Sequence, residues 1–188
     1  ITASHNPPEY NGYKICHGTM PLGGEDLQDI RRTFEAGDFR KGEGSYDTAE
    51  DYEGSYIDAV IESAGKPARD IRVALDCGNA VPGPLAVRLL ERLGVDVIPV
   101  YCDWDNSFPN HPPDPTRPEN MTDLAQAVIE HGAEFGIGMD GDGDRLGVVD
   151  EQGRFIHPDR LMGIFAKDVL SNLPQDASEE RRTIFYDV

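Results

Sequence analysis

The stretch IRVALD at residues 71–76 is a short apolar run, and two similar runs follow it at residues 95–101 and 135–139. Residues 83–93 and 119–131 lie between these runs and repeat their apolar positions at helical spacing. Continuous apolar strands that alternate with helices are typical of a parallel sheet covered by helices on both faces. The sequence therefore predicts an α/β domain of three layers, with a parallel sheet between two layers of helices.

The segments on either side of this alternation add further elements. Apolar residues at helical spacing predict helices at residues 25–36, 49–64 and 158–173. Residues 146–149 and 154–156 predict a hairpin, because two apolar runs flank a short polar turn that contains glycine.

The remaining segments predict loops, a linker and two short strands near the ends of the sequence. Residues 103–117 form a connection rich in Pro, Asn and Asp, and its length makes it a candidate for function. Residues 38–48 have no periodicity and predict a linker, whereas residues 13–16 and 183–188 predict short strands. Because the sequence begins inside a polar motif and ends inside an apolar run, we expect it to be a piece of a longer protein.

The chain is strongly acidic, with 17 Lys and Arg residues against 35 Asp and Glu residues and a formal net charge of −18. A negative surface repels nucleic acid and anionic membranes at long range. No apolar run approaches the length of a membrane span. We therefore expect neither nucleic acid nor membrane as a partner.

The three cysteines, Cys16, Cys77 and Cys102, are odd in number and lack the paired spacing of a zinc site. This number and spacing of cysteines is typical of proteins in a reducing cytoplasm and argues against a disulfide framework. We expect a cytoplasmic protein.

The sharpest local feature is DGDGDR at residues 140–145, directly after an apolar run. Carboxylates this close repel one another, and a hard divalent cation removes the repulsion. Magnesium commonly binds in this way, through a few carboxylates and a substrate phosphate. The loop therefore predicts a Mg²⁺ site on Asp140, Asp142 and Asp144, with the Arg145 guanidinium suited to a phosphate.

Two other interpretations of this loop stay open. A calcium loop of the EF-hand kind would use Asp140, Asp142, Asp144 and Glu151 at its positions 1, 3, 5 and 12. Arg145 stands where that loop needs glycine, and strands rather than helices flank it. An aspartyl-phosphate phosphatase would instead use Asp140 as the nucleophile and Asp142 as the acid.

The second feature is TASHNPPEYNGYK at residues 2–14. Ser4 lies between small and polar residues, which predicts an accessible hydroxyl. The Asn-Gly pair turns the chain back, so that Lys14 could approach Ser4. His5 and Lys14 are the side chains here that could move a proton or bind a phosphate.

These motifs carry a resemblance to a known family. TASHNPPEYNGYK resembles the phosphoserine loop of the α-D-phosphohexomutases, and DGDGDR resembles their metal loop. DNSFPNHPPDPTRPEN at residues 105–120 and IHPDRLMGIFAKDVL at residues 156–170 are similar to the bacterial phosphomannomutase/phosphoglucomutase branch. The resemblance covers nearly the whole chain. It departs at residues 79–82, where the family is more often glycine-rich.

The resemblance implies roles for individual residues. Ser4 is expected to carry the phosphoryl group, and its phosphate oxygen is expected to complete a Mg²⁺ site. Lys14 is the implied general acid/base. To accept a proton it needs a lowered pKa, which Arg145 and the metal charge would have to supply. His5 and Arg145 are expected to line the phosphoserine site.

The resemblance also implies domains and substrates. Residues 1–48 are expected to end a first α/β domain, residues 49–153 to form a second, and residues 154–188 to begin a third. The expected partners are hexose phosphates and a hexose 1,6-bisphosphate, and the full-length enzyme is expected to be a monomer or weak dimer. The fragment alone is expected to be inactive.

Overall fold

The computed structural model describes residue 6, residues 9–67 and residues 69–185. In chain order its strands and α-helices are β1 (Cys16–His17), β2 (Met20–Pro21), α1 (Gly24–Ala36), α2 (Tyr52–Ala64), β3 (Arg72–Asp76), α3 (Gly83–Leu93), β4 (Asp96–Val100), α4 (Thr122–His131), β5 (Phe135–Met139), β6 (Leu146–Asp150), β7 (Phe155–Ile156) and α5 (Pro158–Ser171).

The centre of the molecule is a five-stranded sheet in the order β4-β3-β5-β6-β7. Strand β3 pairs in parallel with both β4 and β5, which confirms the parallel core expected from the alternating pattern. Strands β6 and β7 continue the sheet in antiparallel pairing, so the expected hairpin joins this sheet and makes it mixed.

Helices cover both faces of the sheet. In β3, Ala74 is fully buried and packs with Leu124 and Val128 of α4. The next residue, Leu75, points to the opposite face and packs with Val87 and Leu90 of α3. Since successive residues of a strand face opposite sides, two adjacent buried residues require a layer on each face. The three-layer α/β prediction is confirmed.

Several element boundaries differ from the predictions. Strand β1 covers Cys16–His17 rather than residues 13–16, and α5 ends at Ser171 rather than at residue 173. Helix α2 begins at Tyr52 rather than at residue 49, because Asp51 has a left-handed backbone with φ of 48°. A 3-10 helix, Pro118–Met121, precedes α4, so the α-helix starts three residues later than predicted. Residues 183–185 are not in a strand, and the rest of that predicted strand lies outside the described residues.

The long connection between β4 and α4 is anchored to the end of β3. The Nε2 atom of His111 lies 3.0 Å from Oδ2 of Asp76, whose side chain is only 2% exposed. The Nδ2 group of Asn110 donates a hydrogen bond of 2.8 Å to Oδ1 of Asn79. These bonds hold the Pro-rich segment against the carboxyl ends of the parallel strands, where open α/β sheets place their ligands.

All three cysteines are free thiols, as the sequence predicts. Cys77 and Cys102 are buried side by side, with their Sγ atoms 3.8 Å apart. In the described part of the chain, no helix combines the length and the apolar character needed to cross a bilayer.

Gly83 supplies a test of the packing between α3 and the end of β4. A Cβ atom at this buried position would lie 2.1 Å from the carbonyl oxygen of Cys102. We therefore expect Gly83→Ala to lower the free energy of unfolding by about 1–3 kcal/mol, because the backbone must shift to remove the clash. Urea denaturation measures this change.

Gly163→Ala is the matched control, because Gly163 also lies in a helix and a Cβ there would meet no heavy atom within 4 Å. This variant should gain about 0.5–1 kcal/mol through the smaller entropy loss of alanine. A Gly83→Ala protein as stable as the wild type would contradict the described packing.

The ion pair between His111 and Asp76 should make stability depend on pH. The hydrogen bond to Asp76 raises the pKa of the largely buried His111. Its stabilising effect is therefore complete below the unfolded-state pKa of about 6.5 and is lost as the pH rises through the higher folded-state value.

Unfolding measured from mildly acidic to mildly alkaline pH should show the wild type losing its advantage over His111→Gln as the pH rises. His17→Gln, at an exposed position of β1, controls for the loss of a histidine. A difference between wild type and His111→Gln that stays constant across this range would show that the ion pair does not stabilise the fold.

Candidate metal centre

Three carboxylates converge in the loop between β5 and β6. Asp140, Asp142 and Asp144 each offer a carboxylate oxygen, and these atoms all lie within 4.8 Å of one another. Asp140 is fully buried, Asp142 is partly buried and Asp144 is exposed, so the cluster opens to solvent on one side. The structure therefore brings together the three metal ligands predicted from the sequence.

The hairpin geometry of β5 and β6 creates this convergence. Met139 and Leu146 are the last paired residues, so the loop must reverse the chain within six residues. The Arg145 backbone N–H donates to Oδ1 of Asp140 at 3.1 Å, and the Asp140 N–H donates to the Arg145 carbonyl at 3.2 Å. Gly143 has φ of 74°, a conformation that glycine adopts at little cost.

Lys14 reaches this loop from the opening segment of the chain. Its Nζ atom donates hydrogen bonds to Oδ2 of Asp142 at 3.0 Å and to Oδ2 of Asp144 at 3.2 Å. These two carboxylates raise the pKa of Lys14, because they stabilise the charged ammonium. The expected lowering depends on Arg145 and on the charge of a bound cation, and it stays a prediction.

Arg145 lies at the rim of the same cluster. Its Nε atom is 3.8 Å from Oδ1 of Asp144, and about half of its side chain is exposed. The guanidinium therefore remains accessible to a ligand while it balances part of the negative charge.

Ser4 and His5 lie outside the described residues. Their roles remain predictions. Lys14 follows Ser4 by ten residues, and it is a described residue of this motif that lies at the carboxylates.

The donor set suits a hard divalent cation. Three carboxylates within 4.8 Å supply oxygen ligands and negative charge, and among the described residues Lys14 and Arg145 place positive charge beside them. The positively charged Lys14 ammonium already lies between the carboxylates of Asp142 and Asp144. Magnesium prefers such oxygen ligands and keeps other positions for water or phosphate. The residues present fit a Mg²⁺ ion.

The arrangement departs from an EF-hand calcium loop. Strands β5 and β6 flank the acidic loop, whereas an EF-hand requires helices there. Glu151 follows β6 in a turn and does not belong to the carboxylate cluster found among the described residues.

Sequence reasoning missed one neighbour of the metal loop. Pro82 packs against Gly143, with its Cβ atom 3.1 Å from the place where a Cβ of Gly143 would lie. Pro82 belongs to residues 79–82, the segment in which the chain departs from the family pattern. The sequence held no signal for the contact, since no local pattern links two residues this far apart.

The chain matches two models of one protein family. The family model for phosphoglucomutase/phosphomannomutase, α/β/α domain II, matches residues 54–153, and the model for domain I of the same family matches residues 1–41. The first match alone covers more than half of the chain.

Individual relatives agree with the family models. The chain is 45% identical over 174 residues to a phosphomannomutase/phosphoglucomutase of Pseudomonas aeruginosa, covering 93% of this chain and 37% of that protein. It is 44% identical over 176 residues to a phosphoglucomutase of Neisseria gonorrhoeae, covering 93% of this chain and 38% of that protein. The chain thus spans little more than a third of the length of these relatives.

The fold is similar to that of a solved family member. A crystal structure of a phosphoglucomutase/phosphomannomutase family protein from Burkholderia thailandensis superposes with a TM-score of 0.80 at 40% identity, covering 90% of this chain and 37% of that chain. The motifs, the sheet and these matches agree, and the chain belongs to the phosphoglucomutase/phosphomannomutase family.

Proposed function

We propose that the full-length protein is a phosphohexomutase that interconverts the 1-phosphate and 6-phosphate of a hexose such as mannose or glucose. The observation that carries the proposal is the contact of Lys14 with Asp142 and Asp144, which lie 128 and 130 residues further along the chain. The contact supports a single site built from the serine motif and the acidic loop.

In this proposal Ser4 carries the phosphoryl group, and Asp140, Asp142 and Asp144 would hold a Mg²⁺ ion together with a phosphate oxygen of Ser4. When bound, the ion offsets the negative charge that develops on the phosphoryl oxygens and on the departing serine oxygen. The carboxylates are already gathered within 4.8 Å, so binding the ion would require mainly that the Lys14 ammonium move away from Asp142 and Asp144.

The remaining residues bind phosphate and move protons. Arg145 offers an exposed guanidinium for the phosphate, and we assign His5 to the same site. Lys14 is the proposed general acid/base for the hydroxyl groups that exchange the phosphoryl group. Without a bound ion, Asp142 and Asp144 raise the pKa of Lys14 and favour its charged form. It could accept a proton only after a bound cation competes for Asp142 and Asp144.

The reaction proceeds in two transfers. A hydroxyl of the hexose phosphate attacks phosphorus, the bond between phosphorus and Ser4 Oγ breaks, and a hexose 1,6-bisphosphate results. The bisphosphate reorients, and Ser4 takes back its other phosphoryl group. Each transfer needs mainly positioning and charge stabilisation.

Two rival functions are less well supported. An aspartyl-phosphate phosphatase needs phosphorus to approach the Asp140 carboxylate, but Asp140 is 0% exposed and its Oδ1 atom accepts the Arg145 N–H. A calcium-binding module of the EF-hand kind does not match the strands on either side of the loop.

The wider assignments belong to the same proposal. We assign residues 1–48 to the end of a first domain, residues 49–153 to a second and residues 154–188 to the start of a third. The hexose phosphate and its bisphosphate are the partners, without nucleic acid or membrane, in a cytoplasmic enzyme that is a monomer or weak dimer. The fragment alone is inactive, because it spans 37% of the relatives' length and the catalytic cleft needs the other domains.

The location of phosphorus tests the proposal. Full-length protein treated with a hexose 1,6-bisphosphate should carry a phosphoryl group on the peptide that contains Ser4, as mass spectrometry can show. The phosphoester should survive hydroxylamine, which cleaves the acyl phosphate expected on Asp140 of a phosphatase.

Ser4→Ala should abolish phosphorylation and lower mutase turnover by several orders of magnitude, because the covalent intermediate is lost. Ser45→Ala is the control, since Ser45 is exposed in the linker after α1. Normal turnover by Ser4→Ala, or a hydroxylamine-labile phosphate on Asp140, would refute the mutase mechanism.

A further inference from the structure

Pro82 lies against the backbone of the metal loop. A Cβ at Gly143 would be 3.1 Å from Cβ of Pro82 and 3.5 Å from its Cγ, with Cε of Met139 next at 3.6 Å. Gly143 is the residue between Asp142 and Asp144, so the proline ring packs where the chain passes from one proposed ligand to the next. Gly143 holds φ of 74° at this contact.

Helix α3 fixes Pro82 on its C-terminal side. Pro82 is the N-cap residue of α3 with φ of −68°, and its carbonyl accepts the Ala86 N–H at 2.8 Å. Gly83 follows it in close contact with the carbonyl of Cys102, where no Cβ would fit. The ring therefore cannot withdraw from Gly143 unless the first turn of α3 also moves.

Asn79 fixes the same turn on its N-terminal side. It is buried and left-handed, with φ of 61°. Its backbone N–H donates to the Tyr101 carbonyl at 2.7 Å, and its carbonyl accepts the Asp105 N–H at 3.0 Å. Its side chain donates to the Asp103 carbonyl at 3.0 Å and accepts from Asn110 at 2.8 Å. The turn that carries Pro82 is thus tied to the loop after β4.

We propose that Pro82 is a positioning residue for the metal centre, and that its ring holds Gly143 in the conformation that keeps the Asp142 and Asp144 carboxylates beside Asp140. This inference rests on the proposed metal site. It adds a residue that binds neither ion nor substrate and that acts through packing alone.

The proposal implies discrimination between cations. Mg²⁺ demands near-octahedral geometry with ligand distances of about 2.0–2.1 Å, whereas Ca²⁺ accepts variable geometry at about 2.3–2.6 Å. A metal loop released from the proline ring would hold its carboxylates less accurately. The loss of affinity should therefore be larger for Mg²⁺ than for Ca²⁺.

The test compares Pro82→Ala with Pro84→Ala in the full-length protein. Pro84 lies in the same first turn of α3 but is not among the nearest neighbours of Gly143. Isothermal titration gives the dissociation constants for Mg²⁺ and Ca²⁺, and thermal unfolding without metal reports on the fold. We expect Pro82→Ala to weaken Mg²⁺ binding by about tenfold and Ca²⁺ binding by less than half that factor, with Pro84→Ala unchanged in both.

Pro82→Val extends the test, because valine restores bulk against Gly143 and should recover most of the Mg²⁺ affinity even if alanine disturbs the fold. The positioning role would be overturned if Pro82→Ala bound Mg²⁺ as tightly as the wild type. It would also be overturned if Pro82→Ala and Pro82→Val each lost as much affinity for Ca²⁺ as for Mg²⁺. A wild-type protein that binds no Mg²⁺ would overturn the proposed function itself, and the inference with it.

Discussion

The mutual repulsion of three carboxylates is the constraint on which the rest of this site depends. The hairpin of β5 and β6 gathers Asp140, Asp142 and Asp144 within 4.8 Å, an arrangement that is unfavourable unless positive charge is near. Lys14 supplies such charge from the start of the chain, at 3.0 Å from one carboxylate and 3.2 Å from another. One electrostatic requirement thus draws together segments that are distant in sequence.

The carboxyl edge of the parallel strands supplies the rigid support for this cluster. Asn79 and His111 connect the loop after β3 to the loop after β4. The turn that begins at Asn79 then places Pro82 against the metal loop. The contacts of Pro82 and Asn79 involve no charged group, and His111 is paired with Asp76. They therefore make the site more rigid without changing its net charge. A Mg²⁺ site benefits from this, because the ion tolerates little variation in ligand position.

The alternation of strands and helices could be predicted from the sequence, because hydrophobic periodicity is a local property. The acidic triplet could be predicted for the same reason, since its members stand two residues apart. The contacts of Pro82 with Gly143 and of His111 with Asp76 could not be predicted, because each depends on how distant segments pair in three dimensions. The raised pKa of Lys14 was also missed, since it follows from two carboxylates that only the fold brings near.

The central claim is that one ion lies between the acidic loop and a phosphate on Ser4. Phosphorus-31 electron–nuclear double resonance on the phosphorylated full-length protein, with Mn²⁺ in place of Mg²⁺, measures this most directly. We expect a strong phosphorus hyperfine coupling from a phosphate bound to the ion. A fully phosphorylated protein that binds Mn²⁺ at the three aspartates without that coupling would contradict it.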